Sequence, residues 1–324
     1  MRRNLLPTAM MSAVFLLAGC NSGGPVDVAT TDAPTAAATA PATEPNDPAA
    51  LQAVTDAAAA TADQGSLTFS ITVATEGTPG DDGVQPISAD GEEDFGAEQR
   101  AVTLRSPAGE LRAIVDGTDI YVLLPGTEEE TWARADLDAL IAGDVGFGGP
   151  AGLPFRSSAD NLFVLRDAVI HAAAGPEEDV NGQNATRYDL TVDLVQASQM
   201  AAEANGTMTA VAEQSGLTQL DMQVWVGEDS NSLADEGLHL IRRVSYSLDL
   251  SQTDVDVATE DAEVDAEPAG VVTVTLDYAD FGAHIRTIMI PDESQVVDLD
   301  EQEIRDSFTV PSTPTPAAPS EAAS

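Results

Sequence analysis

Two triplets in this chain, Asp94-Phe95-Gly96 and Asp280-Phe281-Gly282, spell the motif with which protein kinases hold magnesium. That chemistry also needs a strand lysine on the nucleotide phosphates. All 13 basic residues here are arginine, so the lysine is missing. A turn following a core phenylalanine explains each triplet better. The three histidines, His171, His239 and His284, are far apart in sequence and none lies in a His-Glu-x-x-His pattern. No Gly-x-Ser-x-Gly elbow exists for a nucleophilic serine. Gly146-Phe147-Gly148-Gly149-Pro150 lacks the lysine of a phosphate loop and ends in proline, which makes it a plain loop. Asp261, Glu263, Asp265 and Glu267 alternate as calcium ligands can. They have neither the central glycine nor the closing bidentate glutamate of a hand-type loop, and they read as a solvated segment. Asn184-Ala185-Thr186 and Asn205-Gly206-Thr207 match the glycosylation sequon, which is idle in most bacterial contexts. These residues point to no enzyme, no metal and no cofactor.

The one cysteine, Cys20, carries the clearest chemistry. A single thiol forms no intrachain disulfide and no thiolate cluster. Its position is informative. Arg2 and Arg3 make a positive start, Leu5 to Ala18 are mostly apolar, and Leu17-Ala18-Gly19-Cys20 closes the segment. This is a signal peptide over residues 1–19. Its apolar run falls short of the ~20 residues that span a bilayer. Leu17-Ala18-Gly19-Cys20 resembles the bacterial lipobox. In such signals the cysteine thiol receives a diacylglyceryl group and becomes the mature N-terminus. Two or three acyl chains, such as palmitate, at about 0.8 kcal/mol per buried methylene make a stable anchor. The expected location is the outer face of the bacterial cell membrane, with the membrane itself as a partner through the anchor.

Charge excludes other partners. Fifty-five acids face 13 arginines, a formal net charge of −42. Such a surface repels nucleic acid phosphates and anionic headgroups. Two origins of the acidity stay open: adaptation to high salt, or drift in a GC-rich genome that also replaces lysine by arginine.

Residues 20–48, rich in Gly, Ser, Thr, Ala and Pro, read as a flexible tether, and 311–324 as a disordered tail. A single domain is expected over 49–310. Asn46-Asp47-Pro48 caps an alanine-rich helix from about Ala49 to Ala62. Period-two alternation then marks strands: Leu67 to Val73, Leu111 to Val115, Ile120 to Leu124, Tyr188 to Leu194, Leu220 to Val226, Val244 to Leu250 and Val272 to Tyr278. Asp116-Gly117 and Asn181-Gly182 are hairpin signals. Alternation with one wet face means an antiparallel sheet. Helical patches fall at Asp136 to Ile141, Ser158 to Val169 and Gln196 to about Gln214. The acidic stretches 76–98 and 251–267 read as loops or disordered excursions. The class is α+β.

Val115-Asp116-Gly117-Thr118-Asp119-Ile120-Tyr121-Val122 and Trp132-Ala133-Arg134-Ala135-Asp136-Leu137 resemble the start of LppX/LprG-type envelope lipoproteins. Val180-Asn181-Gly182, Thr186-Arg187-Tyr188, Val192-Asp193-Leu194, Val224-Trp225-Val226, Ile241-Arg242-Arg243-Val244, Asp280-Phe281-Gly282 and Ile290-Pro291 extend the likeness over residues 50–298. Each motif is short; their order and spacing carry it. The resemblance implies a LolA-like half-barrel, a strongly curved antiparallel sheet with helices on its concave side. It further implies a lipid or other hydrophobic ligand held by its acyl chains, in a monomer that carries cargo in the envelope. A structural or regulatory protein of the same fold, working through protein contacts, is the alternative. The acidic insertions and the charge depart from the family and disfavour an anionic headgroup. Trp132, Leu162, Phe163, Leu165 and Trp225 are the candidate lining residues.

Overall fold

A computed structural model describes residues 46–76, 86–106, 109–124, 130–142, 154–201, 217–229, 237–249, 270–283 and 288–299. The lipobox and Cys20, the tether, the Gly146–Pro150 loop, the acidic stretch 251–267, His284, Asn205 and the tail lie outside the described residues.

The order begins with α1 (Pro48–Ala62), β1 (Ser66–Glu76), β2 (Ile87–Asp94), β3 (Gln99–Ser106), β4 (Gly109–Asp116), β5 (Asp119–Leu123) and β6 (Trp132–Asp136). It continues with α2 (Leu137–Ala142), α3 (Ser158–Asp167), β7 (Val169–Val180), β8 (Gln183–Asp193), α4 (Leu194–Ala201), β9 (Gln219–Asp229), β10 (Leu238–Asp249), β11 (Val271–Ala279) and β12 (Val296–Asp298). Among the described residues, twelve strands make one open sheet in the order β12-β6-β5-β4-β3-β2-β1-β11-β10-β9-β8-β7. Every pair is antiparallel except β12 with β6. Two meanders, β1 to β6 and β7 to β11, are therefore stitched together where β1 pairs with β11.

The chain must travel from the β6 edge to the β7 edge, and α3 lies on that path. It packs on the apolar face and against α1. Alternate residues of β1 to β11 bury inward in one continuous core: Phe69 and Ile71, Val102, Ala113 and Val115, Ile120 and Val122, Leu190 and Val192, Met222 and Val224, Val274 and Leu276. Register irregularities break the ladder between Ile241 and Arg243, between Val169 and His171, and between Ala174 and Glu177. Such bulges bend a strand and increase its twist. The result is a curved half-barrel with helices against its inner face.

Local chemistry sets the helices. The Asp47 carboxylate accepts the Ala49 N–H at 2.9 Å, and Pro48 occupies the first turn. Ala50, Val54, Ala57, Ala58 and Thr61 form the buried stripe of α1. Their small size lets the helix approach the sheet closely. The start of α1 is tied to the edge strand. Asp47 N–H donates to the Ala172 carbonyl at 2.9 Å, and Asn46 Oδ1 accepts the Ala172 N–H at 3.1 Å. Its end is tied to β10. Thr61 Oγ donates to the Ala57 carbonyl at 2.7 Å and accepts the Ile241 N–H at 2.9 Å, at the bulge.

Several expectations need correction. Residues 87–94, expected as part of a loop, are the second strand of the sheet. The helix expected over Ser158 to Val169 ends at Asp167, and Val169 opens β7. Leu194 begins α4 instead of closing β8. Both Asp-Phe-Gly triplets are turns flanking the start of β1. Phe95 N–H donates to Gly65 O and Gly282 N–H to Ser66 O, each at 2.9 Å. Asn181 and Gly182 both take positive φ, 54° and 82°, as the tight β7–β8 hairpin requires.

Candidate functional site

Apolar side chains dominate the inner face, and one polar cluster interrupts them. Glu93 on β2 stands directly opposite Arg100 on β3. Both point inward, with 4% of each side chain exposed. Arg100 Nη2 donates to Glu93 Oε2, and also to Ser158 Oγ at 2.9 Å. Nη1 donates to the Pro154 carbonyl at 2.9 Å. Glu93 Oε1 accepts the Ser157 hydroxyl at 2.6 Å and the Ser158 N–H at 3.1 Å.

This carboxylate sits on the first turn of α3. Ser157 is the N-cap and holds the Ala159 N–H at 3.1 Å. Helix N-termini present unsatisfied N–H groups and favour negative charge. Glu93 therefore caps α3 from the sheet, and Arg100 neutralises Glu93. The Arg100 guanidinium also lies 4.6 Å over the Phe69 ring. Phe69 can lie there because its partner across the strands is Gly91. A Cβ on Gly91 would stand 2.7 Å from Phe69 Cζ and 2.1 Å from the Ala101 carbonyl oxygen.

Next to this clamp is the buried phenol of Tyr278 on β11, and the buried phenol of Tyr246 on β10 neighbours Tyr278 in turn. Neither hydroxyl has a hydrogen-bond partner among the described residues. Tyr278 lies beside Ser158 and Asn161. Burial, reinforced by the nearby Glu93 charge, pushes the Tyr278 phenol up to about 12. Burial raises Tyr246 as well, and the neighbouring Tyr278 adds to it. Both are protonated at any physiological pH. A buried hydroxyl without a partner costs roughly 1–3 kcal/mol. With Arg100 Nε, they are among the buried polar atoms left without a partner among the described residues.

No family model matches the chain, and no curated protein matches it in sequence. Solved structures do align with it. LprF from Mycobacterium bovis is 14% identical, aligns over 76% of this chain and 98% of its own, and has a TM-score of 0.44. The Mycobacterium tuberculosis lipoprotein LppX is 17% identical over 74% of this chain and 98% of its own, at a TM-score of 0.41. A LolA superfamily protein from Nitrosomonas europaea is 15% identical over 71% of this chain and 91% of its own, at 0.28.

The five candidate lining residues do not form one site. Leu162 and Leu165 point inward from α3 and are almost fully buried. Phe163, between them, turns outward and is 43% exposed, with Arg166 stacked 5.0 Å over its ring. One helical residue corresponds to ~100° of rotation, which turns Phe163 away from the side that Leu162 and Leu165 bury. Trp225 lies on the outer face in a small cluster with Val180 and Ala185. Its indole N–H donates to Glu178 at 2.8 Å, and Arg243 lies 5.8 Å over its ring while pairing with Asp277. Trp132 alternates with the inward Ala133 and Ala135, so it faces outward too, beside Val296 of β12.

Sequence reasoning missed Glu93, Arg100, Tyr246 and Tyr278 as a group. Tyr246 and Tyr278 lie in alternating runs that the sequence shows. Glu93 and Arg100 lie in strands whose polarity conceals them. Among the described residues, no three His, Cys, Asp or Glu residues could share a metal ion.

Proposed function

We propose that this protein is an envelope lipoprotein, anchored at the outer face of the cell membrane through Cys20, that holds an acyl chain or other hydrophobic ligand inside its half-barrel. Leu162 and Leu165 of α3 and the inward rows of β1, β10 and β11 contact the ligand. The role is binding or carriage, without covalent chemistry. One observation carries the reading. A single apolar core spans the inner face from β1 to β11 beneath α1 and α3, yet contains two hydroxyls that no described side chain satisfies. A sheet built only to be rigid gains nothing from leaving them so. The lipobox ending at Cys20 supports the anchor.

The second reading is a structural or regulatory lipoprotein of the same fold, acting as a monomer through protein contacts. It is favoured by the tightness of the inner packing, where Leu67, Ile120, Leu140, Leu162 and Leu165 are each below 2% exposed.

Native mass spectrometry of the full chain, expressed in a host with a bacterial envelope, separates the two. The carrier reading expects a diacyl lipid mass bound non-covalently, on top of the covalent modification at Cys20. Leu162→Trp should remove the bound lipid and leave the covalent one. A protein bearing only its covalent acyl chains, with no uptake of added lipid, supports the structural reading. Loss of the covalent mass in Cys20→Ser tests the anchor separately.

A further inference from the structure

We propose that the Tyr246 and Tyr278 hydroxyls form a recognition site for an uncharged oxygen, such as an ester carbonyl or an alcohol, on an otherwise apolar ligand. The inference rests on the carrier reading and names the ligand chemistry within it. Both hydroxyls are buried, at 3% and 2% exposure of their residues, and both lack partners among the described residues. They come from neighbouring strands, β10 and β11, and both turn toward the inner face. Ser158 and Asn161, in the first turns of α3, stand beside Tyr278. Polar atoms thus gather between α3 and the sheet in an otherwise aliphatic interior.

The charges nearby decide which polar group fits. Arg100 gives both terminal nitrogens to Glu93, Ser158 and the Pro154 carbonyl, and only its Nε is left without a partner. Glu93 is spent on Arg100 and the start of α3. The clamp is neutral as a unit and offers no counter-charge. A carboxylate, phosphate or ammonium placed beside it would be buried unpaired, which is prohibitive. A chain with 55 acids against 13 arginines disfavours an anion further. Two protonated phenols can still donate to a neutral oxygen, and the hydrocarbon on either side of that oxygen matches the leucines and valines around it. An ester within a lipid and a free fatty alcohol share this chemistry.

The test is displacement of a bound pyrene-labelled alkane from the full chain, held in phosphatidylcholine nanodiscs. The competitors are methyl oleate, oleyl alcohol, oleate and 1-octadecene. The wild type should prefer methyl oleate or oleyl alcohol to 1-octadecene by about tenfold, the worth of one good hydrogen bond. Whichever of the two binds better identifies the source of the oxygen. Oleate should compete worse than both. The Tyr246→Phe/Tyr278→Phe double variant should lose the preference for oxygen while keeping a single cooperative thermal transition, which shows that the fold is intact. Equal affinity of the wild type for ester, alcohol and hydrocarbon would overturn the site, as would a preference that survives in the double variant. Failure of all four to compete, with no uptake of the alkane itself, would bring down the carrier reading along with it.

Discussion

Glu93 occupies an inward position in a row where β1 places Leu67 and β4 places Val115, and it is tolerated because every lone pair it presents is used. Breaking such a pair is expensive because the survivor stays buried and charged. Glu93→Ala should cost about 3–5 kcal/mol, whereas Glu93→Leu combined with Arg100→Met should recover most of that. Urea unfolding of the single and double variants checks this; a double variant as weak as the single one would assign the cost to lost capping of α3. This residue was hidden in the sequence for a physical reason. Eight acids between 76 and 98 read as a solvated stretch. Nothing local distinguishes the one carboxylate that turns inward, since its arginine lies on the next strand and its serines lie beyond residue 150. The phenols make a separate prediction. Tyr278 titrates near 12 in the fold against 10.0 when free, so the folded state holds its proton longer. Stability from this group is complete below pH ~10 and is lost as pH rises toward 12, a change of roughly 2–3 kcal/mol. Tyr278→Phe should make that alkaline limb of a denaturation-versus-pH profile shallower, leaving the part that Tyr246 contributes; an unchanged limb would place the loss elsewhere.

The same divide between local and distant signals appears among the elements. Strands that alternate cleanly, such as β1, β9 and β11, were legible because one face is aliphatic and the other wet. Capping at Asp47 and the Asn181-Gly182 hairpin were legible because turn chemistry is local. β2, β7 and β12 were not. Ile87–Asp94 carries polar residues on both faces, and its central Gly91 is there for the Phe69 ring, a requirement set by another strand. β7 begins so close to α3 that Val169 fits a helical stripe as well as a strand. The contact between α1 and β10 also depends on something no pattern shows. The bulge at Ile241 frees an N–H that Thr61 then accepts. Thr61→Val keeps the shape of the helix stripe but orphans that buried N–H. It should cost roughly 1–3 kcal/mol. Hydrogen exchange at the Ile241 amide should accelerate while the central β1–β11 ladder stays protected up to global unfolding. Equal acceleration in both would mean that α1 and the sheet open as one unit.

For the whole molecule, charge dominates outside the core. The ion pairs on the outer face, such as Arg243 with Asp277 and Arg187 with Glu178, are part-exposed and individually worth little. Thirteen arginines can neutralise only a small fraction of 55 acids, so the net effect of charge on folding is repulsive. Salt shortens the screening length from about 10 Å at 0.1 M to about 3 Å at 1 M. It should weaken the many repulsions more than the few attractions. The thermal midpoint is therefore expected to rise with sodium chloride between 0.1 and 2 M, by several degrees, since about 1 kcal/mol moves a domain of 150–250 residues by roughly 2–4 °C. Chloride suits the measurement because sulfate strengthens apolar burial by exclusion and would raise the midpoint of any protein. A rise in chloride fits a fold selected for saline surroundings. A flat or falling midpoint would mean that the acids are spaced widely enough to ignore one another, and would leave genomic drift as the origin of a chain without lysine.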